Sequence, residues 1–180
     1  LAAVVPHSVE IGGVRDAARI VGELHAELAA RREAGLEDNP PVFLFLYNLG
    51  RFRDLRKEDD YGFSSGDEEA ATPPKQLAAL LAEGPPLGIH VLIWCDTYAN
   101  VSRMLDRRAM QDFELRVLFQ MNANDSSSLM DSPEAAKLGV HRAILYDEGQ
   151  GVAEKFRPYG LPSAEFLARV KKQLEQRVHH

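Results

Sequence analysis

The sequence predicts an α/β domain: a mostly parallel sheet flanked by helices, with an antiparallel hairpin at its edge. Three observations predict it. Val42 to Tyr47, Ile89 to Cys95, and Leu115 to Met121 apart from Arg116 and Gln120 are apolar end to end. Such runs mark strands of a parallel sheet covered on both faces, whereas a half-exposed strand would alternate. Segments with helical spacing separate them, which is the alternation of an α/β fold. The length of 180 residues and a hydrophobic content of 45% suit one domain with its own core, assigned to residues 1–178.

Taken in order, "AAVVPHSVEI" is short, β-branched and interrupted by Pro6, so it reads as an edge strand or an extended lead-in. Val14, Ala17, Ala18, Val21, Leu24 and Leu28 recur at intervals of three and four, predicting an amphipathic helix from about Val14 to Ala34 that Gly35 ends. After the first apolar run, residues 57–72 are acidic, rich in Gly and Ser and aperiodic, and read as a mobile surface loop. Pro73 to Leu81 reads as a helix opened by proline, burying Leu77, Leu80 and Leu81. "NVSRMLDRRAMQDF" is a further helix between the second and third strands. Ser126, Ser127 and Ser128 lack a placed histidine base and read as a polar turn capping a short helix. "RAILYDE" and "GVAEKFRPYG" form a hairpin around "EGQG". Ser163 caps a last helix to Arg177, with Phe166, Val170 and Leu174 inward.

Composition narrows the function. A formal charge of -6 argues against a free-standing nucleic-acid binder, which presents a strongly basic face. Cys95 is the single cysteine, so neither an intrachain disulfide nor a cysteine-based metal site forms, and a reducing, cytoplasmic setting fits. No apolar stretch approaches the ~20 residues that cross a bilayer, and no signal-peptide layout opens the chain. A start at Leu1 and an end at His179-His180 suggest an excised fragment, the histidines being a tag remnant or native.

Ligands of a parallel α/β sheet bind beyond the strand ends, here Tyr47-Asn48, Asp96-Thr97 and Asn122 to Asp125. The stretch "GIHVLIWCDT", followed by "ELRVLFQMNANDSSSLMDSPEAAKLGVHRAILY", resembles the FtsK/SpoIIIE family of ring-forming ATPases. Gly88, Ile89 and His90 open the sensor strand of that pattern. Arg116, Phe119 and Gln120 match its next strand, and Asp125, Ser126, Asp131, Leu138 and Gly139 follow in the family's order. With the upstream helix ending "HAELAARRE", the resemblance runs from about Val14 to Phe166.

The resemblance implies the C-terminal part of a RecA-like P-loop NTPase-type module. The parent would bind ATP and magnesium and move DNA or secreted protein, as type VII secretion motors do, in a ring with copies of itself or sister modules. Two departures stand out. The phosphate-cradling Gly-x-x-x-x-Gly-Lys-Ser/Thr loop is missing from the sequence, "GFSSG" at Gly62 to Gly66 being followed by Asp67. Tyr47 and Asn48 also stand where the family has acids that hold magnesium and activate water, and neither replaces them at neutral pH. Asp96 stands at the sensor position, where a carboxylate repels triphosphate.

Tyr47, Asn48, Asp96, Thr97 and Arg116 are therefore expected to outline a degenerate nucleotide site, in a fragment that binds no nucleotide and hydrolyses none by itself. For Arg116 an ion pair within the fold is the equal alternative. Arg103, Arg107 and Arg108 fall on successive helical turns and read as a solvated helix face, or as contacts to DNA or to a neighbouring module. Arg51, Arg53, Arg56 and Lys57 are open in the same way. His90 is expected in the core, and no metal site is assigned. The alternative to a motor fragment is a non-enzymatic scaffold or interaction module built on the same fold.

Overall fold

The computed structural model describes residues 8–35, 39–57 and 71–178. Most of the acidic loop, the opening residues and the terminal histidines lie outside the described residues. The described residues divide into two compact units, one of residues 12–116 with 146–152, the other of 8–11, 117–145 and 153–178.

The first unit begins with a 3-10 turn, Val14–Asp16, whose Asp16 carboxylate accepts the Gly13 amide at 2.7 Å. It runs into helix α1, Ala17–Ala34, and Gly35, at φ 84°, ends it. Ala17, Val21 and Leu28 are buried as the periodicity predicts. So is Arg31, which the periodicity does not predict. Its guanidinium donates to Glu27 Oε1 at 2.8 Å, Leu87 O at 2.9 Å and Pro40 O at 3.0 Å.

Strand β1, Val42–Tyr47, and strand β2, Ile89–Trp94, pair in parallel, Val42 opposite Ile89 and Tyr47 opposite Trp94. Between them α2, Pro73–Glu83, starts with two prolines where amides have no intrahelical acceptor, and buries Leu77, Leu80 and Leu81. Gly84 lets the chain leave α2 at close quarters: a Cβ there would sit 2.3 Å from the Leu80 carbonyl oxygen and 2.6 Å from that of Ile89. The core gathers Val21 and Leu28 of α1, Leu44 and Leu46 of β1, the α2 leucines and Ile89.

The expected single helix after β2 is two, α3 (Tyr98–Met104) and α4 (Arg107–Gln111). Asp106 breaks it, because its carboxylate accepts the Ala109 amide at 2.7 Å and so caps a new helix.

The sheet departs from expectation in two ways. Strand β3, Leu115–Leu118, does not join β1 and β2; it begins a second sheet in the order β3-β4-β5 with β4, Ala143–Asp147, and β5, Val152–Phe156. The Glu148 amide bonds the Glu114 carbonyl at 2.9 Å, so β3 and β4 run antiparallel. Only β1 and β2 are parallel, and the hairpin belongs to this other sheet. Nor are the apolar strands covered on both faces. Leu44 and Leu46 are buried while Phe43, Phe45 and Tyr47 are exposed, and in β3 Leu118 is buried while Leu115 and Val117 are exposed.

In the second unit, α5, Ala123–Met130, is capped by Asn122, whose Oδ1 accepts the Asp125 amide at 2.9 Å. The serines thus lie inside the helix and do not cap it. Ser126 is fully buried: its hydroxyl donates to Ser132 O at 2.5 Å and accepts the Ala135 amide at 3.1 Å, tying α5 to the 3-10 turn Pro133–Lys137. Helix α6, Ala164–Val178, starts as expected, the Phe166 amide reaching Ser163 Oγ at 3.2 Å. Phe166 itself is exposed, contrary to the inward placement expected of it.

Arg31→Met is expected to lower unfolding free energy by about 1–3 kcal/mol, since the part-buried carbonyls of Pro40 and Leu87 lose a charged donor. Arg32→Ala, which removes a solvated pair with Glu83, should cost under about 1 kcal/mol. Urea denaturation of both variants checks the contrast.

Candidate functional site

The parallel register brings the C-terminal ends of β1 and β2 level. The Asn48 amide donates to Trp94 O at 3.0 Å, so Asn48 lies beside the point where the chain leaves β2 through Cys95, Asp96 and Thr97. Asn48 adopts the left-handed conformation, φ 65° and ψ 66°, which asparagine tolerates better than most residues. That turn starts a short 3-10 segment, Leu49–Arg51, with Leu49 fully buried beneath it.

At the end of β2, Thr97 Oγ1 accepts the Asn100 amide at 3.2 Å and caps α3. The Asn100 side chain donates to Asp96 Oδ1 at 2.8 Å and accepts from Arg103 Nη1 at 3.4 Å. The Cys95 thiol lies 3.7 Å from the same Asp96 oxygen and 3.6 Å from Thr97 O. The hydrogen bond from Asn100 holds the exposed Asp96 carboxyl below the usual aspartate range, against an opposing effect of desolvation. On the β1 side, Gly50 packs against the same asparagine; a Cβ there would come within 3.1 Å of Asn100 Cγ.

Of the predicted site residues, the fold brings together Asn48, Asp96 and Thr97, with Arg103 beside them. Tyr47 points elsewhere. Its ring lies on the open face of the sheet, 71% exposed and stacked on Trp94 with centroids 4.8 Å apart. Arg107 and Arg108 are exposed on α4. Arg116 pairs with Glu148, donates to Met110 O at 3.0 Å and lies 5.9 Å from the centre of the Tyr146 ring, so of its two readings the ion pair is the one seen. Arg51, Arg53 and Arg56 are exposed, and Lys57 Nζ is held by Ser102 O at 2.8 Å. His90 is not a core residue. It is half-buried on the open face, its ring stacked on Phe43 at 5.2 Å.

Sequence reasoning missed Asn100, although Thr97 three residues before it has the spacing of a cap. It also missed the open face, although Phe43, Phe45 and Tyr47 repeat at the strand period of two. Among the described residues no three His, Cys, Asp or Glu side chains converge in a way that holds a metal ion. Nor is any described helix long and apolar enough to cross a membrane.

A capped helix leaves one strand of the parallel pair and a left-handed turn the other, at the strand ends beyond which α/β domains bind their ligands. No family model matches the chain, and no curated protein does. In structure it is similar to the cytoplasmic domain of the Thermomonospora curvata type VII secretion ATPase EccC, with a TM-score of 0.58 and 16% sequence identity over 88% of this chain. The chain spans 20% of that structure's length. At that identity the likeness is one of fold.

The Asp96 carboxyl is expected to titrate below 3.8 in a side-chain NMR experiment, and Asn100→Ala should move its midpoint upward. Because the folded value is depressed, the stability linked to this group is present above the unfolded value and is lost as pH falls through the folded one.

Proposed function

We propose that this chain is part of a motor ATPase module of the FtsK/SpoIIIE type, built on a RecA-like core, in which the nucleotide site has lost its hydrolytic chemistry. The observation that carries the reading is the fold likeness to the EccC cytoplasmic domain over 88% of the chain. It coincides with a resemblance in sequence that places Asn48 and Asp96 at the two strand ends. That neighbour is a secretion ATPase, which favours secretion over DNA movement as the parent's task.

The residues present do not fit magnesium and ATP for turnover. The β1 end offers an amide, with the tyrosine turned onto the sheet face, so nothing there holds a metal's water or takes a proton from one. The β2 end offers Asp96, an exposed carboxylate bonded to Asn100 that meets a triphosphate with like charge. The module's part in a larger machine is then to bind sister modules or copies of itself, with Arg107 and Arg108 as the exposed cations available for a neighbour.

A second reading, a non-enzymatic interaction module, is favoured by the strand-end polar groups already being bonded to one another: Asp96 to Asn100, Asn100 to Arg103, Thr97 to the α3 amide. The two readings share the prediction of no turnover and differ on nucleotide.

Binding at 100 times Kd would stabilise the fold by about 2.7 kcal/mol. Millimolar MgATP is expected to leave Tm unchanged and phosphate release at background. Sustained hydrolysis that Asp96→Ala abolishes would overturn the degenerate site. Nucleotide binding by the full-length protein would favour the motor-derived reading, and its absence together with stable capture of a partner the scaffold.

A further inference from the structure

The segment that follows β1 lies along α3. A Cβ on Gly50 would come within 3.1 Å of Asn100 Cγ, the Lys57 amide bonds Met104 O at 3.0 Å, and the Lys57 ammonium bonds Ser102 O at 2.8 Å. Leu55 and Met104 share the core beneath. This pins Arg51, Arg53 and Arg56 beside the helices that carry Arg103, Arg107 and Arg108, and all six are exposed. Arg103 donates to Asn100 Oδ1, and among the described residues none of the six forms an ion pair. Residues 51–57 and 103–112 hold seven cations against three carboxylates, one of which, Asp106, already accepts the Ala109 amide. Gathering like charges costs a fold stability, so stability does not explain the cluster. In the proposed reading further parts of a module pack on this unit through apolar surface. Six unpaired guanidiniums cannot be buried that way, and the patch stays open to a charged partner.

We propose that this arginine patch binds a carboxylate-rich segment of a partner protein. The inference rests on the proposed function for the existence of a neighbour and names what that neighbour offers. Guanidinium forks pair bidentately with carboxylates, so a short run of aspartates and glutamates supplies the counter-charge the patch lacks. The surroundings disfavour a nucleic acid. With a net charge of -6, a surplus of four positive charges in these two segments leaves a surplus of ten negative charges elsewhere, and Glu58, Asp59 and Asp60 follow Lys57 directly. A long polyanion would run off the patch onto like charge, whereas a short acidic segment ends within it. Bases would also find no platform: the one aromatic residue in 50–57 and 103–112 is Phe52, which packs against the core.

The test is a fluorescence-anisotropy titration of a labelled oligoglutamate peptide with the 180-residue chain. Exposed charge pairs are individually weak, so the expected Kd is on the order of 100 µM at low salt, rising steeply between about 50 and about 300 mM. Arg53→Glu with Arg107→Glu should raise Kd by more than about tenfold with an unchanged far-UV circular dichroism spectrum. Arg51→Gln with Arg103→Gln carries the same readout should that pair misfold. Arg157→Glu with Lys172→Glu makes the same change in net charge on exposed residues of the other unit and should leave Kd unchanged. Four results would each overturn the proposal: no binding of the peptide, an equal loss in the control pair, tighter binding of an oligothymidylate of equal charge, or peptide binding that appears only when Glu58, Asp59, Asp60, Asp67, Glu68 and Glu69 are replaced by their amides. The last would assign the patch to the chain's own acidic residues. No nucleotide enters the titration. Its failure therefore leaves the degenerate motor module standing, while MgATP turnover would sink that reading and leave the peptide result intact.

Discussion

The fold around the candidate site depends on the buried guanidinium of Arg31. One of its nitrogens holds the carbonyl of Pro40, two residues before β1, and another holds that of Leu87, two residues before β2. Gly88 follows at φ 73°, where an added Cβ would lie 3.3 Å from the same guanidinium. The Val42 amide then bonds Gly88 O at 2.8 Å, which starts the ladder. Both strands are thus fastened to one point on α1 before they pair. A slip of one residue would put Leu44 and Leu46 into water and Phe45 into the core.

Because the strands start level and have equal length, they end level, and the chemistry of the far end follows. Asn48 and Asp96 become neighbours through the Asn48 to Trp94 bond, without any direct contact between their side chains being needed. Each strand leaves by a local device: a left-handed asparagine on one side, a threonine-capped helix on the other. The same level pairing lines up aromatic residues on the opposite face. The polar end and the open apolar face are two consequences of one register.

Local chemistry was legible in the sequence and pairing between distant segments was not. The strands Val42–Tyr47 and Ile89–Trp94, the proline-opened α2 and the Ser163 cap of α6 follow from side chains acting on their own backbone. Leu115 to Leu118 also reads as a strand, but its partner is decided by the Glu114 to Glu148 bond across more than thirty residues, which no local pattern encodes. Arg31 hid because charge argues for the surface, and only the two carbonyls of other segments explain its burial. In the site, Asp96 and Thr97 were visible as a strand end, whereas Asn100 matters through a side-chain bond and Tyr47 through the face it occupies. A run without alternation predicts two covered faces, and β1 shows that the same run tolerates one open face when aromatic rings stack across the pair.

In the proposed reading this explains how such a site loses its chemistry without losing its shape. Acids at the end of β1 would contribute charge to a metal and a water but little to the sheet. Tyrosine at position 47 is the better strand residue, since it stacks on Trp94 across the register and places its hydroxyl end in solvent. Asparagine at 48 accepts a positive φ that most residues resist. At β2 the bonds that fix the strand end use Thr97 and Asn100, groups that shape α3 and need no nucleotide to do so. Substitution of the hydrolytic residues is therefore neutral or favourable for the fold.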